Sequence, residues 1–465
     1  MNRLSGIFIG LLCFAGAIAQ EYDPFPPSGV PDRIMLNLTS SPATSMAVNW
    51  RAAVYVKEGY VEIAPSDPTP NFPINSWSIQ AERTTLLTNQ NAANFFSATM
   101  DGLQPATTYA YRVGDSLNWS EWNQFTTAST EAKPFSFIYF GDAQNDVKSL
   151  WSRAIRGAFQ QMPKAQFMLH AGDLINRANN DDEWGEWFYA GGWMYAVIPS
   201  IATPGNHEYL RTKEGNYVVS DHWRPQFNLP LNGPEGFEET TYYIDYENTR
   251  IISFDAPAFY RSREDSTALV HWLREVLESN TQQWTVLTLH YPLYSTKYGR
   301  DNAELRSALQ PMIEANHVDL VLQGHDHTYG RGTNIPIGME HILDGPIYVV
   351  SVSGPKMYDL GFDGWIQRAG SNIQLYQTIS IDGNHLTYQA YTADNRLYDG
   401  FELFKEDGHN LFFDQAPADR PEILAPPPHF ERIWNRESKK DYETRFKAYI
   451  KRQGLDVKKS GGKNR

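Results

Sequence analysis

One cysteine in 465 residues, Cys13, leaves this chain without an intramolecular disulfide. Its stability has to come from core burial or from bound metal. Basic charge is short as well: 40 Lys and Arg against 54 Asp and Glu give a net −14. A nucleic-acid binder ordinarily shows a basic face, so no nucleic-acid partner is expected. Long apolar runs are missing too. The run from Ile7 to Phe14 in "MNRLSGIFIGLLCFAGAIAQ" is too short to span a bilayer. With Arg3 before it and Ala17-Ile18-Ala19 behind it, the segment predicts a secretory signal over residues 1–19, hence a secreted or periplasmic chain with no transmembrane segment. Asn37-Leu38-Thr39 and Asn118-Trp119-Ser120 match the glycosylation pattern, which is short enough to arise by chance.

Aromatic residues are plentiful, with 13 Trp and 26 Tyr. Residues 31–128 read as all-β. "SMAVNWRA" alternates, putting Met46, Val48 and Trp50 on one face, and "LQPATTYAYRV" does the same at Tyr109, Tyr111 and Val113. About seven short strands with a core Trp and a tyrosine corner suit a β-sandwich. The spacing of Leu103, Pro105, Thr107 and Tyr109 resembles fibronectin type III domains, and "EAKP" at 131–134 reads as a short linker.

From Phe135 to about residue 400 the rhythm becomes strand, loop, helix. Apolar strands are expected in "FSFIYF", "AQFMLH", "AVIPSIATP", "RIISFDA", "WTVLTLH", "VDLVLQ" and "PIYVVSVSG". A helix over 146–162 should bury a stripe of Val147, Leu150, Trp151, Ala154, Ile155, Ala158, Phe159 and Met162, and further helices are expected near 266–279 and 302–316. The fold class is therefore multidomain: an N-terminal all-β sandwich, then an α/β domain of layered sheets flanked by helices. A hairpin is expected to turn at Asp382-Gly383. Residues 414–465 read as a Pro-rich linker and a basic tail, whose amphipathic helix runs through Trp434, Tyr442, Phe446 and Ile450. That helix either docks on the domain or meets an anionic surface.

Five polar clusters directly follow the apolar strands: "YFGDAQND", "LHAGDLIN", "TPGNHEY", "LTLHYPLYS" and "LQGHDHTYGR". The ends of parallel strands are where open α/β sheets bind ligands. Any one cluster is weak evidence, because Gly-Asp turns are common and a lone His is more often a core residue. Five in order, each offering Asp, Asn or His, supply the oxygen and imidazole donors that hold Zn, Mn or Fe. Two metals together can hold a phosphate, acidify a bound water and stabilise the leaving oxygen; a bridging carboxylate offsets their repulsion.

These five blocks resemble the calcineurin-like metallophosphoesterase superfamily. "GNHE", "HYPLYS" and "GHDHTYGR", behind a fibronectin-like domain, are similar in detail to purple acid phosphatases. The resemblance implies a secreted dinuclear-metal phosphoesterase that hydrolyses small phosphate esters with a metal-activated water or hydroxide, as an acid phosphatase-like monoesterase. A phosphodiesterase on the same site, or a retired binding protein that has lost one metal, is the alternative. By the same resemblance Asp142 would bind the first metal and Asp173 would bridge both. Asn206, His290 and His325 would hold the second metal, and His327 would return to the first. His207 would face the phosphate as hydrogen-bond donor or general acid. Two departures stand out. The family's metal-bound tyrosine is Asn176 here, and the His of the superfamily's other branch is Gln144. Gln144 or Asn176 would then supply an amide oxygen to the first metal, or water would fill the position. The site should favour two divalent ions. A pair of plant histidines is also missing; "STKYGRDN" offers Tyr298 and Arg300 instead, with Arg300 either clamping phosphate or serving as a surface charge.

Overall fold

The computed structural model of the protein describes residues 23–428 and 435–454; the signal segment, Cys13 and Trp434 lie outside them. Among the described residues no helix is long and apolar enough to cross a membrane.

The first domain is a sandwich of two four-stranded halves. Asp32–Asn37, Met46–Ala53, Ala92–Met100 and Glu82–Leu87 form one, and Trp77–Gln80, Tyr60–Pro65, Thr108–Gly114 and Asn123–Thr126 the other. Trp77–Gln80 and Glu82–Leu87 are consecutive but lie in opposite sheets, so the chain changes sheet at Ala81. Trp50 stacks on Phe96 in the core, and the Tyr109 hydroxyl accepts from the Gln104 N–H at 2.9 Å, the tyrosine corner expected from the spacing.

The alternation read in "SMAVNWRA" predicts one wet face, but all eight residues of Met46–Ala53 are buried. The second face is covered by the next domain. Asn49 donates to the Pro225 carbonyl, and Arg51 reaches Asp32 at 2.6 Å and Asp181 at 3.2 Å. Arg33 forks onto the same Asp181 carboxylate at 2.8 and 2.9 Å. The sandwich is also tied in by pairing: Asn37 is in register with Ser200 in a parallel bridge and donates to its carbonyl. Buried there, Asn37 is closed to glycosylation.

The second domain layers two sheets. In one, Phe135–Phe140, Phe167–His170 and Ser200–Ala202 run parallel, and the antiparallel strands Leu375–Asp382, His385–Thr392, Leu397–Glu406 and His409–Asp414 extend it. In the other, Thr249–Phe254, Trp284–Leu289, Leu320–Gln323 and Ile347–Val350 run parallel. Helices Ser152–Gln161, Arg263–Glu278 and Ala303–Ala315 flank them, each with an apolar stripe inward. The helix expected over 146–162 begins as a wider π turn, Val147–Trp151. That turn shifts the register of what precedes it, so Leu150, expected on the buried stripe, is exposed. The late hairpin turns one residue further on than expected, at Gly383-Asn384, with Asp382 paired to His385 and Gly383 taking the positive φ of 57°. The tail helix, Arg436–Arg452, docks on this domain: Tyr449 and Ile450 are fully buried, and Tyr442 and Phe446 pack on Phe362.

His170 ends the strand that leads into "AGDLIN". Its ring stacks on Phe140 and meets Trp187 edge-on, with neither nitrogen hydrogen-bonded. Burial lowers its pKa to about 3. The unfolded chain therefore takes up this proton first. The stability is fully present above the unfolded value near 6.5 and is lost as pH falls toward 3. Each pH unit below 6.5 costs up to about 1.4 kcal/mol, or roughly 3 kcal/mol by pH 4. Denaturant midpoints measured at pH 7 and pH 5 should therefore fall less for His170→Phe than for the wild type. Equal falls would remove His170 from the acid response.

Candidate metal centre

The five polar blocks leave the ends of parallel strands from both sheets and meet between them. Asp142 follows Phe135–Phe140, Asp173 follows Phe167–His170 and Asn206 follows Ser200–Ala202; His290 follows Trp284–Leu289 from the facing sheet, and His325 and His327 follow Leu320–Gln323. Their ligand-type atoms form two groups, Asp142, Asp173 and His327, and Asp173, His290 and His325, each within 4.8 Å. Asp173 is common to both. Asn206 Oδ1 lies 3.3 Å from His290 Nε2 and so joins the second group.

Close approach of the loops explains the glycine in these blocks. A Cβ on Gly205 would stand 2.2 Å from Asp173 Oδ1, and one on Gly324 would stand 2.4 Å from Asp142 Oδ1. Three of the gathered side chains sit on left-handed backbone, with φ of 52° at Asp173, 75° at His325 and 45° at His327. Strain of this kind persists where surrounding structure fixes it, characteristically at functional sites.

Tautomers are set from behind. The His327 Nδ1–H donates to the Lys356 carbonyl at 2.9 Å and the His290 Nδ1–H to the Ala171 carbonyl at 2.8 Å. Each Nε2 is thereby the ring atom aimed at the cluster, the one that would offer its lone pair to a bound metal. His327 Nε2 then faces Asp142 Oδ2 at 3.2 Å, and that buried oxygen has no hydrogen-bond donor. A buried carboxylate oxygen left without a donor and facing a ring nitrogen is an arrangement that a cation would complete, so the donor set fits a metal ion.

Charge argues the same way. Burial pushes Asp142 up to about 7, aided by Asp173. Burial also opposes ionisation of Asp173, but His290, with His207 and His325, holds it well below the usual carboxylate range. His290 rises to about 9: burial resists, and Asp173 and Asp142 draw the proton on. The carboxylates demand positive charge. His327, lowered to about 3 by burial and then by the Lys356 charge, stays the neutral ligand form.

The remaining expected residues are placed differently. Gln144 reaches the cluster, but with its nitrogen forward: Nε2 lies 2.7 Å from Asp173 Oδ2 and 3.1 Å from His327 Nε2. Its oxygen is turned back to accept from Lys356 Nζ at 3.2 Å. An ammonium cannot face an NH₂, so that orientation is fixed chemically, and the amide oxygen is held away from the cluster. Asn176 is half-buried and contributes its backbone: its carbonyl accepts from His207 Nδ1 at 2.5 Å. Arg300 binds buried Asp326 at 2.6 Å and the His325 carbonyl at 3.1 Å, holding a loop that carries ligand-type residues. His207, a quarter exposed, keeps Nε2 3.9 Å from Asp173 Oδ2.

Two positioning carboxylates were not read from the sequence. Buried Glu208 accepts from the Asp173, Leu174 and Gly205 N–H groups at 2.7–2.9 Å, pinning the second and third blocks together. Asp326 accepts from Ser295 and from the Thr296 and Lys297 N–H groups, pinning the fourth to the fifth. Both lie inside quoted motifs, "GNHE" and "GHDH", where their neighbours drew attention as ligands.

Residues 31–127 match the family model "Purple acid Phosphatase, N-terminal domain", and residues 137–329 match "Calcineurin-like phosphoesterase". The chain is 26% identical over 251 residues to purple acid phosphatase 21 of Arabidopsis thaliana, covering 52% of this chain and 54% of that protein. It is 27% identical over 263 residues to acid phosphatase type 7 of Danio rerio, covering 49% of this chain and 55% of that one. The chain thus spans about half the length of these curated relatives. In fold it resembles the purple acid phosphatase from yellow lupin (Lupinus luteus) seeds, with a TM-score of 0.68 at 17% identity over 82% of this chain and 75% of that one. With both domains matched in order, residues 137–329 are a calcineurin-like phosphoesterase domain, and the chain has the two-domain layout of purple acid phosphatases.

Proposed function

We propose that the protein hydrolyses small phosphate esters, acting as a phosphomonoesterase at two divalent metal ions, and that it is exported on the strength of residues 1–19. One observation carries this reading: two ligand groups that share the Asp173 carboxylate, every member buried except the half-buried His325. Asp142, Asp173 and His327 would hold one ion, and Asp173, Asn206, His290 and His325 the other. When bound, such a pair supplies Lewis acidity, acidifying water and offsetting phosphate charge. The chain's own residues do the rest. The backbone carbonyls of Lys356 and Ala171 keep His327 and His290 in ligand tautomers. The Asn176 carbonyl orients His207 through Nδ1, so that the ring in its doubly protonated form would pass the Nε2 proton to the leaving oxygen.

Metal analysis and a phosphate-ester panel run with Zn²⁺, Mn²⁺ and Fe²⁺ test this. Two ions per chain with turnover support it; one ion or none, without turnover, would favour a retired binding protein. The active protein should also be colourless. Asn176 presents only a backbone carbonyl to His207 where relatives place a phenolate, and an amide on a divalent ion gives no visible charge-transfer band. A visible spectrum beside the metal analysis checks this. A purple band with stoichiometric iron would mean that a tyrosinate reaches the ion. Tyr291 and Tyr358, ring-packed on His325 and His327, would be the first to substitute.

A further inference from the structure

The chain as a whole is acidic, yet three cationic side chains gather around the Tyr358 ring, which lies beside His327. The Tyr358 ring packs on the His327 imidazole with centroids 4.5 Å apart. Around that ring stand the Lys297 ammonium at 4.2 Å, the Lys356 ammonium at 5.8 Å and the Arg300 guanidinium at 5.9 Å. Arg300 is neutralised by buried Asp326 and is left aside. Lys356 is placed differently. Its side-chain hydrogen bond goes to Gln144 Oε1, a neutral partner, and the far end of that same amide touches Asp173 and His327. A half-buried positive charge thus stands one amide group from the ligand cluster. It is anchored there, because the His327 Nδ1–H binds the backbone carbonyl of the same residue. A cation beside a site for two dications works against loading that site, and this repulsion is offset when an anion lies between them. The ammonium is a point donor with three rotatable N–H groups, suited to the terminal oxygens of a phosphoryl group.

We propose that Lys356, with Lys297 adding positive potential at the Tyr358 ring, forms a second anion subsite, so that the preferred substrate carries a second phosphoryl group beside the one hydrolysed. A diphosphate or a closely spaced bisphosphate has that form: one phosphoryl group meets the ligand cluster and its neighbour reaches the ammonium. This rests on the phosphoesterase reading above.

Binding of inorganic phosphate and of methylenediphosphonate, whose P–C–P bridge is not hydrolysed, tests it. Both are titrated calorimetrically into Mn²⁺-loaded wild type, Lys356→Met and Lys297→Met, at probe concentrations that leave the metal content unchanged. The wild type should prefer the diphosphonate by at least about tenfold, the effect of one well-placed charge pair, and Lys356→Met should bring the two affinities within about twofold. Lys297→Met should reduce the preference less. An undiminished preference in Lys356→Met would assign both phosphoryl groups to the metals and overturn the subsite, as would a wild type with no preference. Binding of phosphate without that preference leaves the phosphoesterase reading standing. If neither probe binds the loaded protein, that reading fails and the subsite with it.

Discussion

Asp173→Asn is expected to lower phosphate-ester turnover by on the order of 10³-fold or more, which is about 4 kcal/mol of barrier. Metal content should fall from two ions per chain to one or fewer. Asp173 is the one residue common to both ligand groups, so its loss is felt twice. An amide keeps the size but not the charge that His290, His207 and His325 stabilise at this position. The fold should survive. The loop is held by Glu208, which accepts from the Asp173 and Leu174 backbone whatever side chain Asp173 carries. Circular dichroism and a thermal midpoint near that of the wild type would confirm that folding is not the cause. Wild-type turnover with two ions bound would overturn the assignment of Asp173 as the shared ligand.

The legibility of such a site in the sequence follows from what a ligand loop has to be. Asp142, Asp173, Asn206, His290, His325 and His327 each sit within a few residues of the end of an apolar strand, and strand ends are visible as changes in residue pattern. Parallel strands bring those ends to one edge, so the five polar blocks were legible from local pattern, while the choice of ligand residue within each block came from the resemblance to calcineurin-like metallophosphoesterases. Gln144 was legible by position but not by orientation. Which end of its amide faces the cluster is decided by Lys356, over two hundred residues away, and nothing in "GDAQND" encodes that partner. Met46–Ala53 failed for a related reason. Its alternation was real, but the polar face carries Asn49 and Arg51, whose partners Pro225 and Asp181 belong to another domain. Polar residues in a strand predict water only when nothing else is available to satisfy them. Leu150 fell off its stripe because a π turn cannot be read from apolar spacing.

His207 is where the proposed chemistry can be separated from metal binding. His207→Ala should keep both ions and lose on the order of 10²–10⁴ in rate, the range for a positioned acid–base group. Its backbone N–H donates to Asp173 Oδ1 at 2.9 Å, and that bond remains in the alanine variant, so the shared carboxylate stays in place. Loss of an ion would instead move His207 into the ligand set. The leaving group distinguishes the remaining roles. If the imidazole, oriented by its Nδ1–H on the Asn176 carbonyl, protonates the departing oxygen, the loss should be large for an alkyl phosphate. It should be much smaller for p-nitrophenyl phosphate, because nitrophenolate departs without a proton. Equal losses for the two substrates would show that His207 grips the phosphate and does not act as the acid. Proton delivery would then have to come from solvent, reaching the site along the quarter-exposed side on which His207 stands.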